Sequence, residues 1–269
     1  MMRRLVGRLR GGVPLHGYCK SDVPTPLLDS LSDNDLERLN RLLPWQAFVT
    51  DGAGRRFGDS AWKGKRDVPQ AVPDRRIRAM DSRFCLAGKC VLELGCFEGV
   101  HTVGLAHFAG RVKAVDSRIE NVAKTVVRCS LFGVYPEVSV WDVEQPLPRG
   151  FSIDADYAHH VGVLYHLHDP VTHLMRLGPH IRDGIMLDTH YSEPSDATNT
   201  YVAGGAEYAF REYREFGRDE VFSGMSSTSK WLTLDGLMTA LRNAGFHNVE
   251  VSEKRAERNG PRALLFASK

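Results

Sequence analysis

Val91-Leu92-Glu93-Leu94-Gly95-Cys96-Phe97-Glu98-Gly99-Val100-His101-Thr102 decides the fold of this chain. The run opens as a buried, apolar-rich strand. Gly95 and Gly99 then allow a tight turn, and a helix starts at once, with apolar positions at Val103, Leu105 and Phe108. A glycine loop between strand and helix lets backbone N–H groups approach a nucleotide-like ligand unobstructed. Lys113-Ala114-Val115-Asp116 ends the next strand, and an acid about twenty residues beyond the loop can hold two ribose hydroxyls. A dinucleotide-binding Gly-x-Gly-x-x-Gly would need glycine where Phe97 stands, so that reading fails.

The rest of the chain alternates in the same way. A helix is expected from Ser117 to Leu131, with Val122, Val126 and Val127 on its apolar face and Gly133 after it. Glu137 to Trp141 reads as a short strand ending in Asp142, and Tyr157 to Val161 as the fourth strand. Asp169-Pro170 starts a helix, with Asp as N-cap and Pro at the first helical position. Gly184 to Asp188 is the fifth strand, which places His190 just past the sheet. Thr233 to Asn243 is a helix closed by Gly245. Asn248 to Ser252 and Ala263 to Ala267 form a terminal hairpin around Asn259-Gly260-Pro261. Alternating strands and helices followed by a hairpin predict an α/β, Rossmann-like sheet, mostly parallel with one antiparallel strand.

Composition sets limits. At 269 residues the chain holds one large domain plus an extension, and its formal net charge of +2 signals no nucleic-acid field. The basic start, Met1 to Arg10, lacks a signal-peptide core, and no apolar run is long enough to span a bilayer. Five cysteines without a Cys-x-x-Cys pair read as reduced thiols in a cytoplasm. Residues 1–85 precede the nucleotide fold as an extension, with Asn34 to Leu43 helical and a basic cluster at Lys63, Lys65 and Arg66. That cluster is either a solvated loop or part of a lid whose cations meet an anionic substrate. Residues 86–269 form the nucleotide-binding domain.

Glu93, Gly95, Gly99 and Asp116, in strand–loop–helix–strand order, resemble motif I of class I S-adenosylmethionine (SAM) methyltransferases, with Phe97 as the one departure. Gly162-Val163-Leu164-Tyr165-His166 followed by Asp169-Pro170 is similar to a segment of the tRNA wobble-uridine carboxymethyltransferases and of related natural-product methyltransferases. Glu98-Gly99-Val100-His101-Thr102, Thr189-His190-Tyr191, Trp231-Leu232 and Asn259-Gly260-Pro261 extend the likeness over Trp45 to Lys269. The resemblance implies SAM as cofactor. It implies a cofactor shell of Glu93, Gly95, Cys96, Phe97, Gly99, His101, Asp116, Ser117, Asp142, Val143, Val161 and Gly162, with Asp142 meeting the adenine amino group. Carboxymethyl transfer fits less well. That enzyme uses a lysine after its Pro-Trp-Arg segment, whereas Pro44-Trp45-Gln46-Ala47 offers none; Tyr165 does match, and Lys63 aligns only loosely.

SAM carries its own leaving group, so the protein mainly aligns the nucleophile with the methyl carbon. A hydroxyl or carbon acid also needs a base, and neutral imidazole suits that at pH 7. His166 and His190 sit at the C-terminal ends of strands four and five, where an open α/β sheet meets its ligands, and Tyr165 neighbours them. His190, Tyr165 and His166 are the catalytic candidates, each against the bland alternative of a hydrogen-bonded structural residue. His159 and His160 lie within strand four, so at least one faces a packed layer. His166, His168, His173 and His190 do not make a ligand signature, and no metal is expected.

Residues 192–230 are long for a connection, rich in tyrosine and phenylalanine, and carry Arg211, Arg214 and Arg218. One reading is a cap over the acceptor. The other is a helix from Ala206 to Glu215 that packs Tyr208 into the core or a dimer interface. Lys63, Lys65, Arg66, Tyr191, Tyr208 and Trp231 are the substrate candidates. The expected partner is a small-molecule acceptor, a secondary metabolite or sugar-like compound, with no membrane. A tRNA modifier is the second reading, a SAM-binding module without catalysis the third, and a homodimer stays open.

Overall fold

A computed structural model describes residues 27–58 and 68–269. Lys63, Lys65, Arg66 and the basic start lie outside the described residues. After a short 3-10 turn come α1 (Asp33–Leu42), β1 (Val49–Thr50), β2 (Arg56–Phe57) and α2 (Arg75–Phe84). Then β3 (Cys90–Leu94), α3 (Val100–Phe108), β4 (Arg111–Asp116), α4 (Ile119–Leu131), β5 (Glu137–Val140), β6 (Ala155–Val161), α5 (Pro170–Leu177) and β7 (Ile181–His190) alternate. The remainder is β8 (Asn199–Ala203), β9 (Ala206–Arg214), β10 (Thr228–Leu232), α6 (Leu234–Asn243), β11 (Asn248–Glu257) and β12 (Gly260–Ser268).

Seven strands form the main sheet in the order β11-β12-β7-β6-β3-β4-β5. β3, β4, β5, β6 and β7 pair in parallel, and β12 runs antiparallel to both β7 and β11. The α/β sheet with one antiparallel strand is therefore as expected. Its central strands are buried on both faces; all seven residues of β6 are buried. Such strands read as unbroken apolar runs because helices cover both faces of a parallel sheet. The order changes direction between β3 and β6, and ligands gather at such a switch point beyond the carboxyl ends of the strands.

Several boundaries differ from the sequence reading. Asp169 does cap α5, its side chain accepting the Thr172 N–H at 3.1 Å, and Thr233 likewise caps α6. β7, however, continues past Asp188 to His190, because β12 pairs with it as far as His190 opposite Arg262. His190 is thus the last residue of a strand. The stretch Ala206 to Glu215 is not a helix. Residues Ala206–Arg214 are β9, the middle strand of a separate antiparallel sheet, β10-β9-β8. Tyr208 and Phe210 alternate inward while their neighbours face out, a period of two that helical spacing cannot produce. This inserted sheet leans on the 3-10 turn Leu164–His166, next to which the Lys230 N–H donates to the Leu167 carbonyl at 3.0 Å.

Candidate active site

The glycine loop is held from below. Glu93, at the end of β3, is fully buried, and the Thr102 hydroxyl donates to it at 2.6 Å, tying the strand to the first turn of α3. Burial pushes the Glu93 carboxyl up to about 8. Gly95 and Gly99 both have positive φ, +72° and +80°. A Cβ on Gly95 would stand 2.3 Å from Val163 Cγ2, and one on Gly99 would stand 2.9 Å from Thr125 Cα. Phe97, where the motif has glycine, also adopts a left-handed φ of 53°. That conformation is costly for a side chain with a Cβ, and it turns the Phe97 ring toward Phe222, 5.7 Å away in the inserted region.

Asp116 ends β4 beside the loop. It accepts the Phe97 N–H at 3.0 Å, the Arg118 N–H at 2.9 Å and the Asn121 side-chain amide at 3.0 Å. Burial pushes its carboxyl up against those hydrogen bonds. Glu98, pointing the other way, is completely buried and anchors the N-terminal extension. It accepts the backbone N–H groups of Gln46 and Ala47 at 2.7 and 2.8 Å and pairs with Lys124 at 2.8 Å.

A cavity of about 580 Å³ opens above the sheet switch point. Of the expected cofactor shell, Gly95, Cys96, Phe97, His101, Asp116, Ser117, Asp142, Val143, Val161 and Gly162 line it. Glu93 and Gly99 lie behind the wall. Tyr165, His166, His190 and Trp231 line it too. Tyr191 and Tyr208 are not in the wall; Tyr208 is buried in the main core, where its hydroxyl accepts the Asn243 side-chain amide at 2.8 Å. The sequence reading missed Arg76, Asn121, Tyr213, Glu257 and Arg262, all in the wall. Arg262 directly follows the Asn259-Gly260-Pro261 turn, the one signal that could have found it.

Two imidazoles face this space on either side of Tyr165. The Tyr165 ring lies 4.2 Å from that of His166 and 4.7 Å from that of His190, between centroids. Burial pushes the Tyr165 phenol up, so it stays protonated and can donate. His190 Nδ1 sits 3.1 Å from the Pro261 carbonyl, which can only accept; that nitrogen therefore carries the proton and Nε2 keeps its lone pair. Burial and the nearby Arg262 push the His190 imidazole below its usual range. His166 Nδ1 lies 2.9 Å from Glu215 Oε1.

Charge accumulates beside them. Asp188, wholly buried, receives two hydrogen bonds from Arg255 at 3.0 and 2.8 Å, a contact from Arg262 and an ion pair from Arg76 at 3.5 Å. Ligand atoms of Glu93, His101 and His159 come within 4.8 Å of one another, and they could be read as a metal group. His101 Nε2, however, is already engaged in an ion-pair network, 3.2 Å from the Arg76 guanidinium and 3.7 Å from Asp74, which pairs with Arg76 at 2.8 Å. The four histidines considered from sequence do not gather. His166 and His190 flank Tyr165, His173 packs at 3.0 Å from His160 inside the core, and His168 lies apart, near Thr228.

No family model matches the chain. Among solved structures, the N-terminal domain of EvdMO1, crystallised in the presence of SAH and D-fucose, superimposes with a TM-score of 0.72 at 25% identity. That match covers 88% of this chain and 97% of that one. Magnesium protoporphyrin IX methyltransferase from Synechocystis, with bound SAH, shares the fold at a TM-score of 0.52 and 13% identity, over 72% of this chain and 80% of that one. This is the fold of the SAM-dependent methyltransferases. Neighbours crystallised with SAH indicate SAM as the cofactor. The tRNA U34 carboxymethyltransferase of Edwardsiella ictaluri is 28% identical over 187 residues, 65% of this chain. The chain spans about half of that relative, 52% of its length. Among the described residues, no helix is long and apolar enough to cross a membrane.

Proposed function

We propose that this methyltransferase moves the methyl group of SAM to an O, N or C nucleophile of a small-molecule acceptor, a sugar-like compound or a secondary metabolite. One observation carries the reading. The wall that would hold adenosine, from Gly95 to Asp116 and Asp142, and the wall bearing Tyr165, His190 and Trp231 belong to a single cavity of about 580 Å³. That volume falls within the range of small-ligand sites, and its far wall comes from the inserted sheet. In this reading Asp116 binds the ribose, Asp142 the adenine amino group, and Arg76 the cofactor carboxylate. His190, His166 and Tyr165 face the transferred methyl. Residues 192–230 cap the acceptor, and the extension, which contributes Ala47 and Gln70 to the wall, acts as a lid. The D-fucose of the EvdMO1 crystals agrees with a sugar-like acceptor. Cys85, Cys90, Cys96 and Cys129 are free thiols, in keeping with a cytoplasmic setting.

A second reading, carboxymethyl transfer to tRNA, draws on one contact. A Cβ on Gly162 would stand 3.7 Å from Arg262 Nη2 and 3.9 Å from the Tyr165 hydroxyl, so a cation and a phenol converge at the sheet edge. A carboxylate on the transferred group would suit that pair. Mass spectrometry after incubation with SAM and a metabolite extract separates the readings. A small-molecule product heavier by one methylene supports the first. No such product with SAM, but a carboxymethyl group gained by tRNA with carboxy-SAM, would replace it.

A further inference from the structure

We infer that His166 takes the acceptor's proton, and that Glu215, at the edge of the inserted sheet, is the positioning residue that equips it to do so. The inference deepens the methyl-transfer reading above and rests on it. Glu215 directly follows β9 and is 5% exposed. Its carboxylate accepts the Ser223 hydroxyl at 2.6 Å, the Gly224 N–H at 2.7 Å, the Ser229 hydroxyl at 2.9 Å and His166 Nδ1 at 2.9 Å. Four donors on one buried carboxylate fix its position and its charge. Burial works against ionisation, but the His166, Ser223 and Gly224 contacts hold the carboxyl below its ordinary range. Nδ1 of His166 is therefore the protonated nitrogen, and Nε2 carries the lone pair in a ring that lines the cavity.

The two cavity imidazoles differ in what they can do with a second proton. His190 donates Nδ1–H to a neutral carbonyl, and Arg262 in the same wall opposes a positive charge on it; its one acidic neighbour, Glu257, stands 3.7 Å from Nε2. His166 donates to a full negative charge, which stabilises imidazolium as it forms. In the transfer step the acceptor oxygen's lone pair forms the O–C bond to the methyl carbon. The C–S bond breaks with its electrons on sulfur, giving SAH. The O–H proton goes to His166 Nε2, balanced by Glu215, and leaves to solvent afterwards. His190 accepts a hydrogen bond and orients the acceptor.

Diethyl pyrocarbonate, which acylates unprotonated imidazole nitrogen, reads this without any acceptor. At pH 8, peptide mapping should show His166 reacting about tenfold faster than His190, since nucleophilicity follows basicity. Glu215→Gln keeps the shape and removes the charge. It should slow His166 about fivefold or more, leave the His190 rate unchanged, and leave SAH affinity within about twofold. A faster His190, no reaction at His166, or a His166 rate untouched by Glu215→Gln overturns the inference. Because His166 is also the more exposed ring, 20% against 3% for His190, the effect of Glu215 decides the matter. Should Glu215→Gln not fold, Glu215→Asp, which keeps the charge at a longer reach, should slow His166 less than about twofold, and a larger loss overturns the inference. Failure of the wild-type chain to bind SAH would instead sink the methyl-transfer reading itself, which the reactivity ratio does not touch.

Discussion

The imidazole of His190 stacks on the indole of Trp231, with ring centroids 4.8 Å apart and planes within 11°. Trp231 stacks in turn on Tyr213, 4.6 Å away at 13°. The last residue of β7 is thus clamped by a residue of β10, and the inserted sheet sets the ring plane of a cavity histidine. Trp231 is 2% exposed. Trp231→Ala should cost about 3–5 kcal/mol of stability, through lost burial and the void left behind. Calorimetric unfolding measures the loss. SAH binding to the folded fraction should survive, because Trp231 belongs to β10 of the inserted sheet and not to the glycine loop.

Gly95→Ala should weaken SAH binding at least about tenfold, and Gly95→Val should abolish it, by pushing Val163 out of the cavity wall. The new Cβ would meet Val163 Cγ2 at 2.3 Å in a backbone conformation of φ +72°. Titration calorimetry with SAH is the measurement; unchanged affinity in the valine variant would refute the placement of the cofactor.

Asp116→Ala and Asp142→Ala should each weaken SAH by roughly 1–3 kcal/mol, the cost of leaving hydrogen-bonding groups unpaired. The Asp116 variant should lose more, since it also releases the Phe97 N–H and the Asn121 amide that shape the loop. Equal affinities for wild type and both variants would contradict the proposed adenosine site.

Glu93 gives a stability prediction with a definite sign. Its folded pKa, about 8, lies above the ordinary 4.5, so the native state binds the extra proton between those values. Stability from this group is complete below pH 4.5, falls as pH rises, and levels off above about 8. Glu93→Gln should flatten that decline in urea unfolding followed from about pH 5 to 9. A decline of equal slope in the variant would assign it to other groups.

Arg118 holds the loop beyond β9 by its backbone. Its Nε donates to the Arg218 carbonyl at 3.0 Å, and its Nη2 approaches the carbonyls of Gly217, Glu220 and Ser223 at 3.1, 3.0 and 2.9 Å. Arg118→Ala should let trypsin cut after Arg218 about tenfold faster or more, as the loop samples open states. Lysine in its place should rescue little, because an ammonium lacks the planar fork.

The strand, glycine loop and strand-end acid of the proposed cofactor half were legible because their determinants are local. Glu93, Gly95, Gly99 and Asp116 lie within one βαβ unit, where backbone geometry dictates residue type. The acceptor half was not. Glu215 reaches His166 across 49 residues, and Arg118 reaches Ser223 across 105. Such pairs leave no spacing to read. The aromatic stretch from Tyr208 misled for a related reason: Tyr208, Phe210 and Tyr213 fit neither period cleanly, and only pairing with β8 and β10 settles a strand. His190 looked like loop because the antiparallel partner that prolongs β7 comes from the far end of the chain.

The backbone N–H of Arg118 binds Asp116 at 2.9 Å, while its side chain grips the loop that contributes Val221 to Met225 to the cavity. One residue joins the proposed cofactor floor to the proposed acceptor wall. A ligand that stills either surface lowers the entropy cost of stilling the other, and the coupling is the same in both directions. Under the proposed function, filling either surface therefore tightens the site for the other ligand, and by the same factor.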